Sequence, residues 1–216
     1  MSMFRARPRP RTRLTREQSR EQTRQRLMDA AQTLFIKKGF DASSVEDVAA
    51  AAGYTRGAFY SNFKDKAELL LAVLERNHGD IQQKLQRIFD LQSSAQDIEA
   101  RILTYYSTLY RENKCFLVWM QARLLATRDA KFRARLNALS QQTRSDIAHF
   151  IDALCARRRI RSVVSAAQLA LGLVALCDGI QFFHASDPHV TDEMTEKVLA
   201  AFFSAAVFGH RAAGPR

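Results

Sequence analysis

The stretch Ser44-Val-Glu-Asp-Val-Ala-Ala-Ala-Ala-Gly-Tyr-Thr-Arg-Gly-Ala-Phe-Tyr-Ser-Asn-Phe63 decides the fold. It reads as two short helices joined by a tight turn. Ser43 or Ser44 can cap the first, because a serine oxygen accepts from a free amide of the opening turn, and Glu46 and Asp47 suit the positive end of that helix. Ala49, Ala50 and Ala52 are small enough for two helices to cross closely, and Gly53 tolerates the left-handed backbone of the turn. Thr55 can cap the second helix. Phe59 and Phe63, four apart, anchor one side of it and leave the other side free. The N-terminal part of such a helix can enter the major groove of DNA, where Arg56 can read guanine, Gly57 and Ala58 add no bulk, and Thr55 and Tyr60 can touch phosphates. A plain αα-hairpin with a glycine turn carries the same spacing, so the rest of the chain has to decide between the two.

Upstream, Leu27, Ala30, Ala31, Leu34 and Phe35 repeat along one face of a helix expected over Glu17–Lys38, and Gly39 stops it. Before that helix lie Arg5, Arg7, Arg9, Arg11, Arg13 and Arg16, with Pro8 and Pro10 between them, which reads as a flexible basic arm over residues 1–16. Residues 1–66 hold 14 basic and 7 acidic side chains, a large share of the chain's net charge of +11. A basic excess gathered at one end points to an anionic partner and argues against the plain hairpin, since such an arm neutralises phosphates and can enter the minor groove. The arm is followed by no apolar run of the kind a secretory signal needs, so a cytoplasmic location is expected.

Downstream, glycine and proline are scarce, eight and four in 216 residues, and no segment alternates with period two. Long helices and an all-α fold follow. A helix over Ala67 to about Phe89, with a bend expected at His78-Gly79, leads to others at Ala95–Asn113, Phe116–Thr127, Ala130–Arg158, Ala166–Ala185 and Thr191–Phe208, about nine in all. The eighth is apolar nearly all round and should have neighbours on both sides. Gln168, Asp178 and Gln181 interrupt it as a membrane span, so a soluble protein is expected. Arg157, Arg158, Arg159 and Arg161 end the seventh, where cations complement the helix dipole. Cys115, Cys155 and Cys177 are odd in number and widely spaced, which suits buried thiols better than disulfides or zinc. His149, His184 and His189 lack companions at ligand spacing, so neither a metal nor another cofactor is expected.

The run from Val45 to Leu69 closely resembles the DNA-binding signature of the TetR (tetracycline repressor) family, together with the preceding Ala31, Leu34-Phe35 and Gly39-Phe40. The resemblance implies three parts: the arm at 1–16, a three-helix helix-turn-helix DNA-binding domain at 17–66, and a helical effector-binding and dimerisation domain at 67–216. On the family pattern Ser43, Ser44, Thr55, Tyr60 and Lys66 match phosphate-contacting positions, while Arg56, Gly57, Ala58 and Asn62 match positions that face bases. Tyr54 stands where a smaller aliphatic residue is commoner, and Asn62 where histidine is frequent. The resemblance also implies a homodimer on a near-palindromic operator in double-stranded DNA, and a fourth helix, begun by Lys66, that passes ligand binding on to the DNA-binding unit.

The same resemblance implies a small-molecule effector held among the fourth to eighth helices. Tyr105, Tyr106, Leu109, Phe116, Trp119, Met120, Arg123, Phe150 and Cys177 are the candidate lining, which suits an apolar or planar ligand; each of them would serve equally as ordinary core. Trp119 and Arg123 share a helix face and could receive an acidic group, or Arg123 pairs with a nearby acid. The last two long helices, apolar and nearly uncharged, are the expected dimer interface, with no role for a membrane. No nucleophile elbow, phosphate loop or dinucleotide fingerprint points to an enzyme. A non-specific DNA-compacting protein would not need so large an apolar helical half, and whether bound DNA is repressed or activated is open.

Overall fold

The computed structural model describes residues 15–90, 97–98, 100–102, 104–105, 115–158 and 164–208, with side chains to residue 205. Every regular element among them is helical. Residues 1–14 of the basic arm, Tyr106, Leu109, Arg159, Arg161 and most of the helix expected at 95–113 lie outside the described residues.

Helix α1 (Arg16–Lys37) starts at Thr15, whose hydroxyl accepts from the Gln18 amide while Gln18 reaches back to the Thr15 amide. The two donors satisfied this way fix where the helix begins. It ends at Gly39 (φ +89°), whose amide returns to Phe35 O at 3.2 Å. Helix α2 (Val45–Ala51) is capped by Ser44 with Asp47 as its reciprocal partner, and α3 (Arg56–Tyr60) by Thr55. Between them Gly53 takes φ +76°, with Gly53 N–H donating to Ala50 O and Tyr54 N–H to Ala49 O, the paired bonds of a Schellman turn. Gly53 is where the sequence puts the left-handed residue.

Helix α4 (Lys66–Asp90) runs unbroken through His78-Gly79. Helical residues follow at 97–98, 100–102 and 104–105, within the expected fifth helix. Then come α5 (Phe116–Arg128), α6 (Ala130–Arg158), α7 (Ala166–Ser186, capped by Ser165) and α8 (Asp192–Phe208).

Two hydrophobic clusters hold these helices. The first joins Leu27, Phe35, Phe59 and Phe63 to Leu69–Leu74 of α4, Val118 and Ala122 of α5 and Phe132 of α6. It therefore continues past residue 66, where the sequence suggests a boundary, and packs α1 directly on α5. The second joins Leu85 and Phe89 of α4, Ile98, Ile102, Leu154, Leu173, Cys177, Leu199 and Phe203. Helix α4 belongs to both, its N-terminal half to one and its C-terminal half to the other.

One expectation for α7 is only half met. Ala170, Leu173, Cys177 and Gln181 are buried, but Leu171, Phe182 and Phe183 are 55–57% exposed, as are Met194 and Phe202 on α8 at 51% and 60%. Within a single chain α7 is covered on one side and bare on the other. It is also long and apolar enough to cross a membrane by length and composition.

Candidate nucleic-acid interface and ligand cavity

The outward side of α3 is set by its inward side. Phe59 and Phe63 are buried, their rings 5.9 Å apart, and Arg24 of α1 lies 4.2 Å over the Phe63 ring while its Nη1 donates to Asn62 O. With that face fixed, Thr55, Arg56, Gly57, Tyr60 and Ser61 are exposed and Ala58 is half-buried. A Cβ built on Gly57 would meet only Thr55 Oγ1, at 3.7 Å. Nothing inside the chain therefore requires glycine there. The bare backbone faces outward.

Arg56 is held over this face by neighbours. Its Nη1 lies 3.1 Å from Glu46 Oε1 and its guanidinium 5.5 Å from the Tyr60 ring centroid. Contact with Tyr60 and then the Glu46 charge push its pKa up, so it stays a full cation. Ser44, exposed, holds the Asp47 carboxylate below its ordinary range through its backbone amide and then its hydroxyl, so the start of α2 keeps a fixed negative charge.

Three of the residues matched to DNA-contacting positions are turned inward. Ser43 is 1% exposed and its hydroxyl donates to Gly39 O at 2.7 Å. Lys66 Nζ donates to Phe40 O at 2.6 Å and Ser43 O at 2.7 Å and sits 4.2 Å from the Phe40 ring centroid, with burial lowering its pKa. These two side chains tie down the corner between α1 and α2, and a phosphate would have to compete with bonds already made. Asn62, just past the end of α3, donates from Nδ2 to Ala58 O at 2.8 Å and its Oδ1 is buried, so its amide does not stand free toward a base.

A cavity of about 220 Å³ opens between α4, α5, α6 and α7. Trp119, Arg123, Phe150 and Cys177 line it, together with Leu85, Ile147, Leu173, Val174 and Gln181. Phe116 and Met120 do not; Phe116 is buried in packing instead. Tyr105 lines a separate open depression with Ile88 and Arg101. Arg123 has found an acid: its Nη2 is 2.5 Å from Asp178 Oδ2, and burial raises the Asp178 pKa while Arg123 pulls it down. His78 and Asp146 meet at 3.1 Å, and Trp119 Nε1 donates to Asn77 Oδ1 at 3.0 Å.

Asp178 and Gln181 were visible in the sequence only as polar breaks in an apolar helix. Their spacing with Cys177 and Val174, which puts all four on one face, is the signal that could have marked a polar spot on a cavity wall. Gln121 of α5 gave no such signal. Its Oε1 accepts from Phe40 N–H and its Nε2 donates to Phe35 O at 3.0 Å, while Trp119 and Arg123 on the same helix line the cavity. Arg76 adds a second tie, from α4 to Gln25, Asp29 and Gln32 of α1. Among the described residues no group of three or more His, Cys, Asp or Glu is gathered as a metal site would need.

Comparison with known proteins follows this division. The family described as bacterial regulatory proteins, tetR family, matches residues 27–73, and the BetI-type transcriptional repressor C-terminal family matches residues 95–207. The transcriptional regulator AcrR of Shigella flexneri is 40% identical over 65 residues, which is 30% of this chain and 30% of that protein. The match to that relative thus spans less than a third of its length. Over nearly whole chains, the transcriptional regulator FadR from Bacillus subtilis, solved with stearoyl-CoA, superposes with a TM-score of 0.70 at 15% identity, covering 87% of this chain and 99% of that one. SmeT, solved with triclosan, does so with a TM-score of 0.63 at 27% identity, covering 85% and 90%.

Proposed function

The chain belongs to the TetR family of bacterial regulatory proteins, and on that premise we propose that it is a ligand-responsive repressor which binds a near-palindromic operator as a homodimer. Arg56 reads a base at the start of α3, the bare backbone at Gly57 allows close approach, and Ser44, Thr55 and Tyr60 hold phosphates. The exposed apolar faces of α7 and α8 pair with their symmetry mates. That pairing also accounts for the bare side of a helix with a membrane-like composition, and the protein works in the cytoplasm beside its DNA. Its relatives are named as regulators, and no catalytic role is proposed.

The observation that carries this reading is the position of α5, with Trp119 and Arg123 in the cavity wall and Gln121 on the corner before α2. An effector that shifts α5 pulls on the corner that positions α2 and α3. The two recognition helices of the dimer then no longer match successive major grooves roughly 34–36 Å apart, and operator affinity falls. An apolar or aromatic effector fits the lining; triclosan, solved with SmeT, is aromatic, and stearoyl-CoA, solved with FadR, carries a long hydrocarbon chain beside its charged nucleotide part.

Footprinting on the DNA upstream of the chain's own gene, at physiological salt with excess competitor, tests the reading. A protected near-palindrome, released by a ligand of the cavity, is expected. Uniform protection with no preferred sequence would instead make it a non-specific DNA-binding protein.

A further inference from the structure

The polar groups around the cavity are mostly spent within the chain. Arg123 holds Asp178, His78 holds Asp146, Gln142 Nε2 takes the other Asp146 oxygen, and Thr143 bonds Leu139 O and His78 Nδ1. Two buried atoms of the lining are left over. Gln181 Oε1 and Arg123 Nε are buried without a hydrogen-bond partner. Gln181 is only 5% exposed, and its orientation is forced: Nε2 donates to Cys177 O at 3.1 Å, so flipping the amide would set two oxygens against each other. Its orphan is therefore an acceptor, which calls for a donor, while Arg123 Nε is a donor one helical turn away along α7 from Gln181's position, next to Asp178.

The remaining lining is mainly apolar and aromatic, and its formal charges balance in number, Arg123 and Arg144 against Asp146 and Asp178. An ionic ligand would lose its hydration there with no net charge of the lining to offset the loss. We infer that the cavity takes a compact, uncharged, mainly apolar molecule whose hydroxyl or N–H group donates to Gln181 Oε1, with Arg123 Nε donating to an oxygen at the same polar end. Phenols and apolar amides have this chemistry. Gln181 is then the residue that selects the ligand, because an analogue of the same shape without the donor leaves a buried acceptor unpaired. The inference rests on the cavity being the effector site.

Trp119 is the only tryptophan of the chain and lies in the cavity wall, so its fluorescence reports occupancy in the purified full-length protein. Three probes of similar bulk are titrated: para-tert-butylphenol, its methyl ether and para-tert-butylbenzoate. The phenol is expected to bind at least about tenfold more tightly than either of the others. Gln181→Met, which keeps the length and removes the acceptor, should bring phenol and ether to within about twofold of each other. Equal affinities for phenol and ether in the unaltered chain overturn the inference, as do tighter binding of the benzoate or the absence of saturable quenching by any probe. The comparison of probes needs no variant, so it stands even if Gln181→Met fails to fold. Operator release is scored separately. Donor-selective binding that leaves DNA binding untouched keeps the ligand assignment and breaks the regulatory reading.

Discussion

Around the turn at Gly53, helix ends are closed by residues three positions away: Ser44 with Asp47, and Thr55 with Ala58. Around the cavity the partners come from far along the chain, Trp119 with Asn77 across 42 positions, Arg123 with Asp178 across 55 and His78 with Asp146 across 68. The difference separates two kinds of specification. A recognition helix is positioned by a short motif that any sequence scan can read. A cavity wall is positioned by how distant helices pack, and its polar contacts are known only once the packing is known.

The contrast is broken most severely at the shared phenylalanines. Phe59→Ala should cost about 3–5 kcal/mol in a denaturant titration, because the ring is fully buried under α3. Phe182→Ala, at an exposed ring, should leave protomer packing nearly untouched and, on the proposed pairing of α7 and α8, weaken the dimer in sedimentation instead. Gln121→Ala is the next test, since it leaves the Phe40 amide without its partner and removes one of the donors to the Phe35 carbonyl. A loss of about 1–3 kcal/mol in stability is expected. Ligand affinity should change less than the ability of ligand to release DNA. Arg56→Ala should cost about 1–3 kcal/mol at one base step and relax specificity there, read by competition between operator variants. If operator preference is unchanged, Arg56 reads no base.

Ser44→Ala is smaller still, about 1 kcal/mol in thermal unfolding, because one cap bond is lost from an exposed helix start. The thiols should show the least effect near neutral pH. Burial pushes Cys177 up to about 12 and Cys115 up to about 11, from an ordinary 9.0. Keeping these thiols protonated stabilises the fold fully below pH 9, and that contribution is lost as pH rises toward 12, since the unfolded thiols ionise first. Alkylation at pH 8 should therefore reach the partly exposed Cys155 before the other two.

The same division explains what the sequence could tell. Caps at Ser44 and Thr55, left-handed glycines at 39 and 53 and the Phe59 and Phe63 anchors are local facts, so helix positions and the exposed side of α3 were readable in advance. Ser43 and Lys66 were not, because only the folded corner shows that their side chains bond Gly39, Phe40 and Ser43 backbone oxygens. In the sensor half, Trp119, Arg123, Phe150 and Cys177 could be chosen as large or polarisable residues on apolar helices. Phe116 and Met120 look the same in sequence, and only the packed structure shows that they stay out of the lining. Gln181 was hidden by its neighbours: one amide in a run of leucines and alanines reads as a blemish until its unpaired oxygen is seen.

Helix α5 carries a consequence for how such a protein diverges by descent. Gln121 lies between Trp119 and Arg123, so a substitution that reshapes this wall of the cavity also disturbs the seat of the α1–α2 corner. Ile147 and Phe150 on α6 and Val174 and Gln181 on α7 face the same space and are not among the residues whose side chains tie down that corner. On the proposed function, copies arising by gene duplication can therefore acquire new effectors by drift along α6 and α7 while keeping the ancestral DNA site. A change at α5 must be inherited together with a compensating one near Phe40.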